Sequence, residues 1–145
     1  MPFPDDPAQI TLADFPFRSR DKIRYGDTDR QGHVNNAVFS TLLETGRVEL
    51  IFAPDAPPQE PGSAFVIARL VLDFRAELRW PGEVEIGTRV ARVGRSSVTL
   101  EQAVFQGATL AATGESVLVL MDEATRRSRA LPEGLRDYLL ALGPA

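Results

Sequence analysis

The sequence predicts an α+β fold, a five-stranded antiparallel sheet with one long helix lying against it. Three observations carry that reading. One segment, Ala37 to Phe52, repeats apolar or small residues at intervals of three and four. Four later segments between Val66 and Met121 repeat with a period of two and are separated by short turns. The order is one strand, one helix, then strands in succession, which favours an antiparallel meander over βαβ units. At 145 residues the chain has room for one ordinary domain and one core.

Each element follows from local chemistry. Residues 1–16 hold four prolines and little periodicity, and are expected to form a flexible arm ahead of a single domain over 17–145. Phe17 to Tyr25 is strand-compatible, with Phe17, Ile23 and Tyr25 as inward candidates. Residues 27–36 are polar and punctuated by Gly32, so they read as a loop ending in two helix-capping asparagines. In the helix that follows, Phe39, Leu42, Leu43, Gly46 and Leu50 share one face. Four prolines between Pro54 and Gly62 must stop it. Val66, Ala68, Leu70, Leu72 and Phe74 then alternate with Ile67, Arg69, Val71, Asp73 and Arg75. After a turn at Trp80-Pro81-Gly82 the period resumes in Val84, Ile86 and Val90. It continues past Gly94-Arg95 in Val98, Leu100 and Val104, and past Gln106-Gly107 in residues 110–121. Leu131 to Leu142 reads as a short terminal helix with Pro132 in its first turn. One helix cannot cover both faces of five strands, so another subunit is expected on the second face or an edge.

Composition removes several function classes. Without cysteine there is no disulfide framework, thiolate metal site or Cys nucleophile. A single histidine leaves no zinc site built from several imidazoles, and only His33 for any Ser-His-Asp triad. A net charge of −4 argues against nucleic-acid binding, which needs a basic face. No apolar run approaches the roughly 20 residues of a membrane-spanning helix, and the N-terminus has no signal-peptide pattern. A cytoplasmic protein is expected.

The segment Arg24-Tyr25-Gly26-Asp27-Thr28-Asp29-Arg30-Gln31-Gly32-His33-Val34-Asn35-Asn36 is the densest polar stretch beside expected core. Asp27, Thr28 and Asp29 are turn formers, and Asn35 or Asn36 is a cap, which is one sufficient account. The other account is chemical. Carboxylates here precede a buried helix whose free N–H groups and dipole suit a developing oxyanion. A carboxylate facing such donors fits acyl transfer as base or nucleophile.

The combination Tyr25-Gly26-Asp27-Thr28-Asp29, Gly32-His33-Val34-Asn35-Asn36, Glu44 and Arg47 resembles the signature of hotdog-fold acyl-CoA thioesterases of the 4-hydroxybenzoyl-CoA thioesterase type. Trp80-Pro81-Gly82-Glu83 and Gly94-Arg95-Ser96-Ser97 continue it, so the resemblance spans Phe17 to Asp122. It implies a hotdog fold, hydrolysis of an acyl- or aroyl-CoA to free acid and CoA, and a homodimer or homotetramer with pockets at the subunit interface. No metal or resident cofactor is implied, since coenzyme A is part of the substrate. The second aspartate, Asp29, takes the catalytic position, and the N–H near Asn36 polarises the thioester carbonyl. Asn35 falls in the same motif, beside the substrate.

Glu44 is the rival carboxylate, two turns past Asn36 or about 12 Å along the helix. A related hotdog group places its catalytic carboxylate at that offset, whereas a pairing with Arg47 at i,i+3 is the structural account. His33 either orients Asn36 and substrate or only shapes the helix entry. Phe39 stands where related sequences often carry tyrosine, which suggests an apolar acyl pocket. Arg92, Arg95, Ser96 and Ser97 surround a turn that in the family lies near the CoA entrance and suits its phosphates; a charged hairpin tip is the alternative. Two further functions stay open: a non-catalytic acyl-CoA binder in the same groove, and a hydratase or dehydratase. The second lacks the Asn-Pro of its Asp-x-Asn-Pro-x-His pattern here.

Overall fold

A computed structural model describes residues 3, 4 and 6–143. Five strands, β1 (Phe17–Ile23), β2 (Ser63–Phe74), β3 (Gly82–Val93), β4 (Ser97–Gln106) and β5 (Thr109–Asp122), form one antiparallel sheet in the order β1-β3-β4-β5-β2. The long helix α1 (Asn36–Ile51) lies against one face of it, and α2 (Glu133–Leu140) packs with the far end of α1. This is the hotdog architecture expected from the sequence.

Helix α1 starts one residue earlier than its periodicity indicates and stops before the prolines. All five residues of the expected face are buried. Gly46 sets how closely the helix approaches: a Cβ there would lie 2.7 Å from Gln102 Nε2 and 2.9 Å from Ile86 Cγ2. Gln102, itself buried, donates to the Leu43 carbonyl (2.9 Å) and to Thr88 Oγ1 (3.0 Å), so a satisfied polar bridge ties helix to sheet. At the far end, the Tyr138 hydroxyl of α2 donates to the Leu50 carbonyl at 2.6 Å.

The meander holds only for β3, β4 and β5, where the Gly107-Ala108 turn uses the left-handed φ of +60° at Gly107. β2 pairs with β5 rather than β3. Three strand spacings, roughly 14 Å, separate β2 from β3, and the seven residues 75–81 cross that width with the Leu78 side chain among them fully buried. A bulge at Ala68 alters β2 further. Ile67 pairs with Leu118 but Arg69 with Val117, so the side-chain phase slips by one. Phe65 and Ile67, not Val66 and Ala68, share a face with Leu70 and Leu72. β1 ends at Ile23, and Tyr25 is exposed in the following turn instead of pointing inward.

The lead-in expected to be a flexible arm contributes to the core. Phe15 is fully buried over Gly87, whose absent Cβ makes the room, and Ile10 packs with Phe15, Ala103 and Phe105. These residues cover part of the outer sheet face that helix α1 cannot reach. Beside them Arg89 and Glu101 form a buried ion pair at 3.1 Å, with the guanidinium 5.2 Å and 5.3 Å from the Phe3 and Phe15 ring centres. Among the described residues, no strand pairs with the outer edge of β2, which exposes Ile67, Val71 and Phe74.

Candidate active site

The loop between β1 and α1 is held by its own polar side chains. Asp27 is buried and accepts from the Arg24 N–H (2.8 Å) and from the Arg24 guanidinium (2.9 Å). Burial alone would raise its pKa. The Arg24 backbone hydrogen bond, its side-chain hydrogen bond and its positive charge outweigh that and hold the carboxyl below the ordinary range. The Asp27 carbonyl in turn accepts from the Asn35 N–H at 2.8 Å, which places the helix start.

Asn35 is the N-cap: its Oδ1 accepts from the Ala37 N–H at 3.0 Å, and its carbonyl from the Val38 N–H at 2.9 Å. Among the described residues, no group accepts from the Asn36 N–H. Asn36 lines a cavity of about 300 Å³ together with Asp29, His33, Phe39, Phe74 and Glu77. Asp29 is exposed. Its Oδ1 accepts from the Gln31 N–H at 2.9 Å and the His33 N–H at 3.3 Å, which fixes the carboxylate on its turn. Phe39 is buried and meets Phe74 edge-on, with ring centres 5.1 Å apart, so the cavity has an aromatic wall. The His33 imidazole meets Glu77, with Nε2 3.2 Å from Oε1, and Glu77 also pairs with Arg79 at 2.8 Å. A carboxylate, a free amide donor and an aromatic wall around one space are the parts needed to attack and polarise an acyl carbonyl.

Residues 23–139 match the family model described as the thioesterase-like superfamily. The chain belongs to that superfamily. It is 27% identical over 124 residues to the acyl-CoA thioester hydrolase YbgC of Escherichia coli, covering 82% of this chain and 92% of the relative. Among solved structures, the PA5185 protein of Pseudomonas aeruginosa superposes with a TM-score of 0.84 at 30% identity, over 92% of this chain and 96% of that one. A thioesterase from Thermus thermophilus, complexed with coenzyme A and Zn, has a TM-score of 0.74 at 37% identity, over 89% and 95% of the two chains.

The rest of the expected site in this thioesterase-like chain lies elsewhere. Arg95, Ser96 and Ser97 form the β3–β4 turn, with Arg92 just before it, at the end of the sheet opposite Asp29. Strand β3 runs from Gly82, which pairs with Ile23 near the Asp29 loop, to Val93 beside that turn. Eleven residue steps put the two about 36 Å apart. The turn is tied to β5 and to the C-terminal segment: the Ser96 carbonyl accepts from the Leu120 N–H, the Arg95 carbonyl from the Leu131 N–H, and Arg136 donates to the Gly94 carbonyl. Glu44 is exposed and borders a different, apolar groove between α1 and β2. Arg47 lines that groove too, and no ion pair joins it to Glu44 among the described residues. Burial lowers the Arg47 pKa, with the Glu44 charge opposing.

Phe74, Arg75 and Glu77 line the Asp29 cavity although no motif marks them. Phe74 ends β2, and Arg75 and Glu77 lie on the crossing that leads from that edge strand to β3. Among the described residues there is no cluster of three or more His, Asp or Glu placed to hold a metal, and no helix long and apolar enough to cross a membrane.

Proposed function

We propose that this chain hydrolyses acyl-CoA thioesters to a free acid and CoA, with Asp29 as the catalytic carboxylate and the Asn36 N–H as the oxyanion donor. One observation carries the reading: Asp29 lines the same aromatic-walled cavity as Asn36, whose backbone N–H has no acceptor among the described residues. The named activity of the Escherichia coli relative and the coenzyme A in the Thermus thermophilus structure support the substrate class.

In this scheme the thioester carbonyl oxygen accepts from the Asn36 N–H, at the positive end of α1. Asp29 either takes a proton from water, which adds to the carbonyl carbon, or adds directly and is released by water. The C–S bond breaks, the sulfur leaves as thiolate and gains a proton, and the acid remains. Asn35 keeps the donor aimed by capping the first turn. His33 acts through its backbone N–H, which holds Asp29, while Phe39 and Phe74 receive the acyl group. Glu44 borders the separate groove and takes no step here.

The separation of Asp29 from Arg92, Arg95, Ser96 and Ser97 favours a homodimer. Two β2 edges meeting antiparallel about a two-fold axis would bring one chain's β3–β4 turn towards its partner's Asp29 cavity, and would cover Ile67, Val71 and Phe74. The turn then offers cations and hydroxyls to the phosphates of CoA held by the other chain. A tetramer would add a second contact, and the cytoplasm is the matching location.

Free thiol released from a panel of acyl- and aroyl-CoAs tests the assignment. Asp29→Ala should lose about 10²–10⁴-fold in kcat with the oligomer intact on size exclusion. A dead Glu44→Ala beside a near-native Asp29→Ala would reverse the roles of the two carboxylates. A protein stabilised by CoA esters yet releasing no thiol would be a binder.

A further inference from the structure

Asp29 is an exposed carboxylate on a turn, so its place in the cavity depends on what that turn is fastened to. The Asp29 N–H donates to the His33 carbonyl at 2.8 Å and the His33 N–H to Asp29 Oδ1 at 3.3 Å, so His33 holds Asp29 through both of its backbone groups. His33 is fastened in its turn to the crossing between β2 and β3. The Val34 N–H donates to the Leu78 carbonyl at 3.0 Å, His33 pairs with Arg79 in an isolated antiparallel bridge, and His33 Nε2 meets Glu77 Oε1 at 3.2 Å. That crossing is well anchored. The Arg75 and Ala76 N–H groups both donate to the Ala111 carbonyl, at 2.8 and 3.0 Å, and Leu78 is fully buried. The Gln106 side chain bonds both the N–H and the carbonyl of Arg79, at 3.0 and 2.8 Å. Glu77 therefore projects from a fixed segment, with Oε2 on Arg79 Nη2 at 2.8 Å and Oε1 on His33.

We propose that Glu77 is a positioning residue for the hydrolysis: paired with His33, it locks the Asp29 turn to the crossing and keeps the carboxylate in the cavity. An ion pair this exposed adds little to stability, because both partners stay in contact with water. Its effect is on geometry, where a small displacement of a reacting group costs a large factor in rate. The contact is charged only while the imidazole is protonated, and histidine changes its charge between about pH 5 and 8. The charges facing that imidazole are Glu77 from the crossing, with Arg79 beyond it, and Asp29 from its own turn; Arg75 lines the same cavity. The tie is thus strongest on the acid side of that range and weakens as pH rises through it. The kinetic consequence rests on the hydrolase reading above; the tie between turn and crossing does not.

Thiol release from octanoyl-CoA and benzoyl-CoA at pH 5.5 and pH 8.5 tests the proposal, with Glu77→Gln, His33→Gln and the double variant of the full-length protein. At pH 5.5 each single variant should lose about 10-fold in kcat with KM within 2-fold. The double variant should lose no more than the worse single, since both act through one contact. At pH 8.5 the gap between wild type and Glu77→Gln should shrink below 3-fold. Because the chain has one histidine, no other imidazole contributes to that step. A gap equal at the two pH values overturns the proposal, because a purely steric role has no such pH dependence. So do losses that multiply in the double variant, or a change confined to KM. Hydrogen exchange of the Gln31 and His33 amides, the two that donate to Asp29, reads the tie without turnover. Both should exchange at least 5-fold faster in Glu77→Gln at pH 5.5, with the melting temperature within about 4 °C of wild type. Unchanged exchange overturns the tie whatever the kinetics. A wild-type chain that releases no thiol while exchange responds as expected refutes the hydrolase reading and leaves the tie standing.

Discussion

Replacing Gly46 with alanine puts the docking of α1 to a direct test. In an exposed helix interior the change would stabilise by about 1 kcal/mol, because alanine costs less backbone entropy. Here the new methyl group would sit 2.7 Å from Gln102 Nε2, 2.9 Å from Ile86 Cγ2 and 3.1 Å from Thr88 Oγ1. The amide cannot swing aside freely, since it is buried and donates to both Leu43 and Thr88. Overpacking costs about 1–3 kcal/mol. Displacing the Gln102 amide from its partners costs about 1–3 kcal/mol more. Set against the helix-propensity gain, the net loss is about 1–5 kcal/mol, centred near 3, so a chain of this size should melt about 6–12 °C lower. Thermal unfolding followed by circular dichroism measures it. The double variant Gly46→Ala/Gln102→Ala should lose at least 1 kcal/mol less than the two singles summed, because the shortened side chain leaves room for the methyl. A Gly46→Ala protein that melts at or above the wild-type temperature would refute the close approach.

Two further outcomes follow from the loop and the distant turn. The folded-state pKa of Asp27 lies below its ordinary value of 3.8, so its contribution is present above that pH and lost as pH falls through the folded value. Asp27→Asn should therefore lower the urea midpoint at pH 6, with the gap from wild type narrowing below about pH 4; a constant gap would remove the charge from the account. For the β3–β4 turn, Arg95→Ala should raise KM for CoA esters several-fold while leaving short thioesters without the nucleotide unchanged. Equal effects on both substrates would detach the turn from CoA.

Much of the scaffold was legible because its signals are local. The helical face from Phe39 to Leu50 and the inward Val84, Ile86, Val98, Leu100 and Val104 occupy the burial their periods indicate. The helix entrance was legible too, since Asn35 caps by a side-chain bond to a residue two positions away. What failed was non-local. A bulge at Ala68 leaves no mark in residue types, yet it exchanges the faces of Val66 and Ile67. The pairing of β2 with β5 requires residues 75–81 to cross to β3, and the end of β2 and that crossing bring Phe74 and Glu77 to the Asp29 cavity. The prolines before Phe15 read as a loose arm because periodicity cannot show that Gly87, seventy-two residues later, leaves a seat for that ring. Arg47 sits at a position where its charge suggests solvent and its neighbours on the helix suggest core, and the core won.

In the proposed dimer, the placement of Asp29 and Arg95 at opposite ends of one sheet has a kinetic consequence. An enzyme whose acid chemistry and nucleotide grip come from different chains has a turnover that depends on its own concentration. Dilution below the subunit dissociation constant should then lower activity per milligram, first by weakening the hold on CoA. Mixed subunits carry the same logic, because a chain lacking Asp29 still lends its turn to a partner, and a chain lacking Arg95 still lends its carboxylate. Co-expression of the two defective chains would return one intact site per heterodimer.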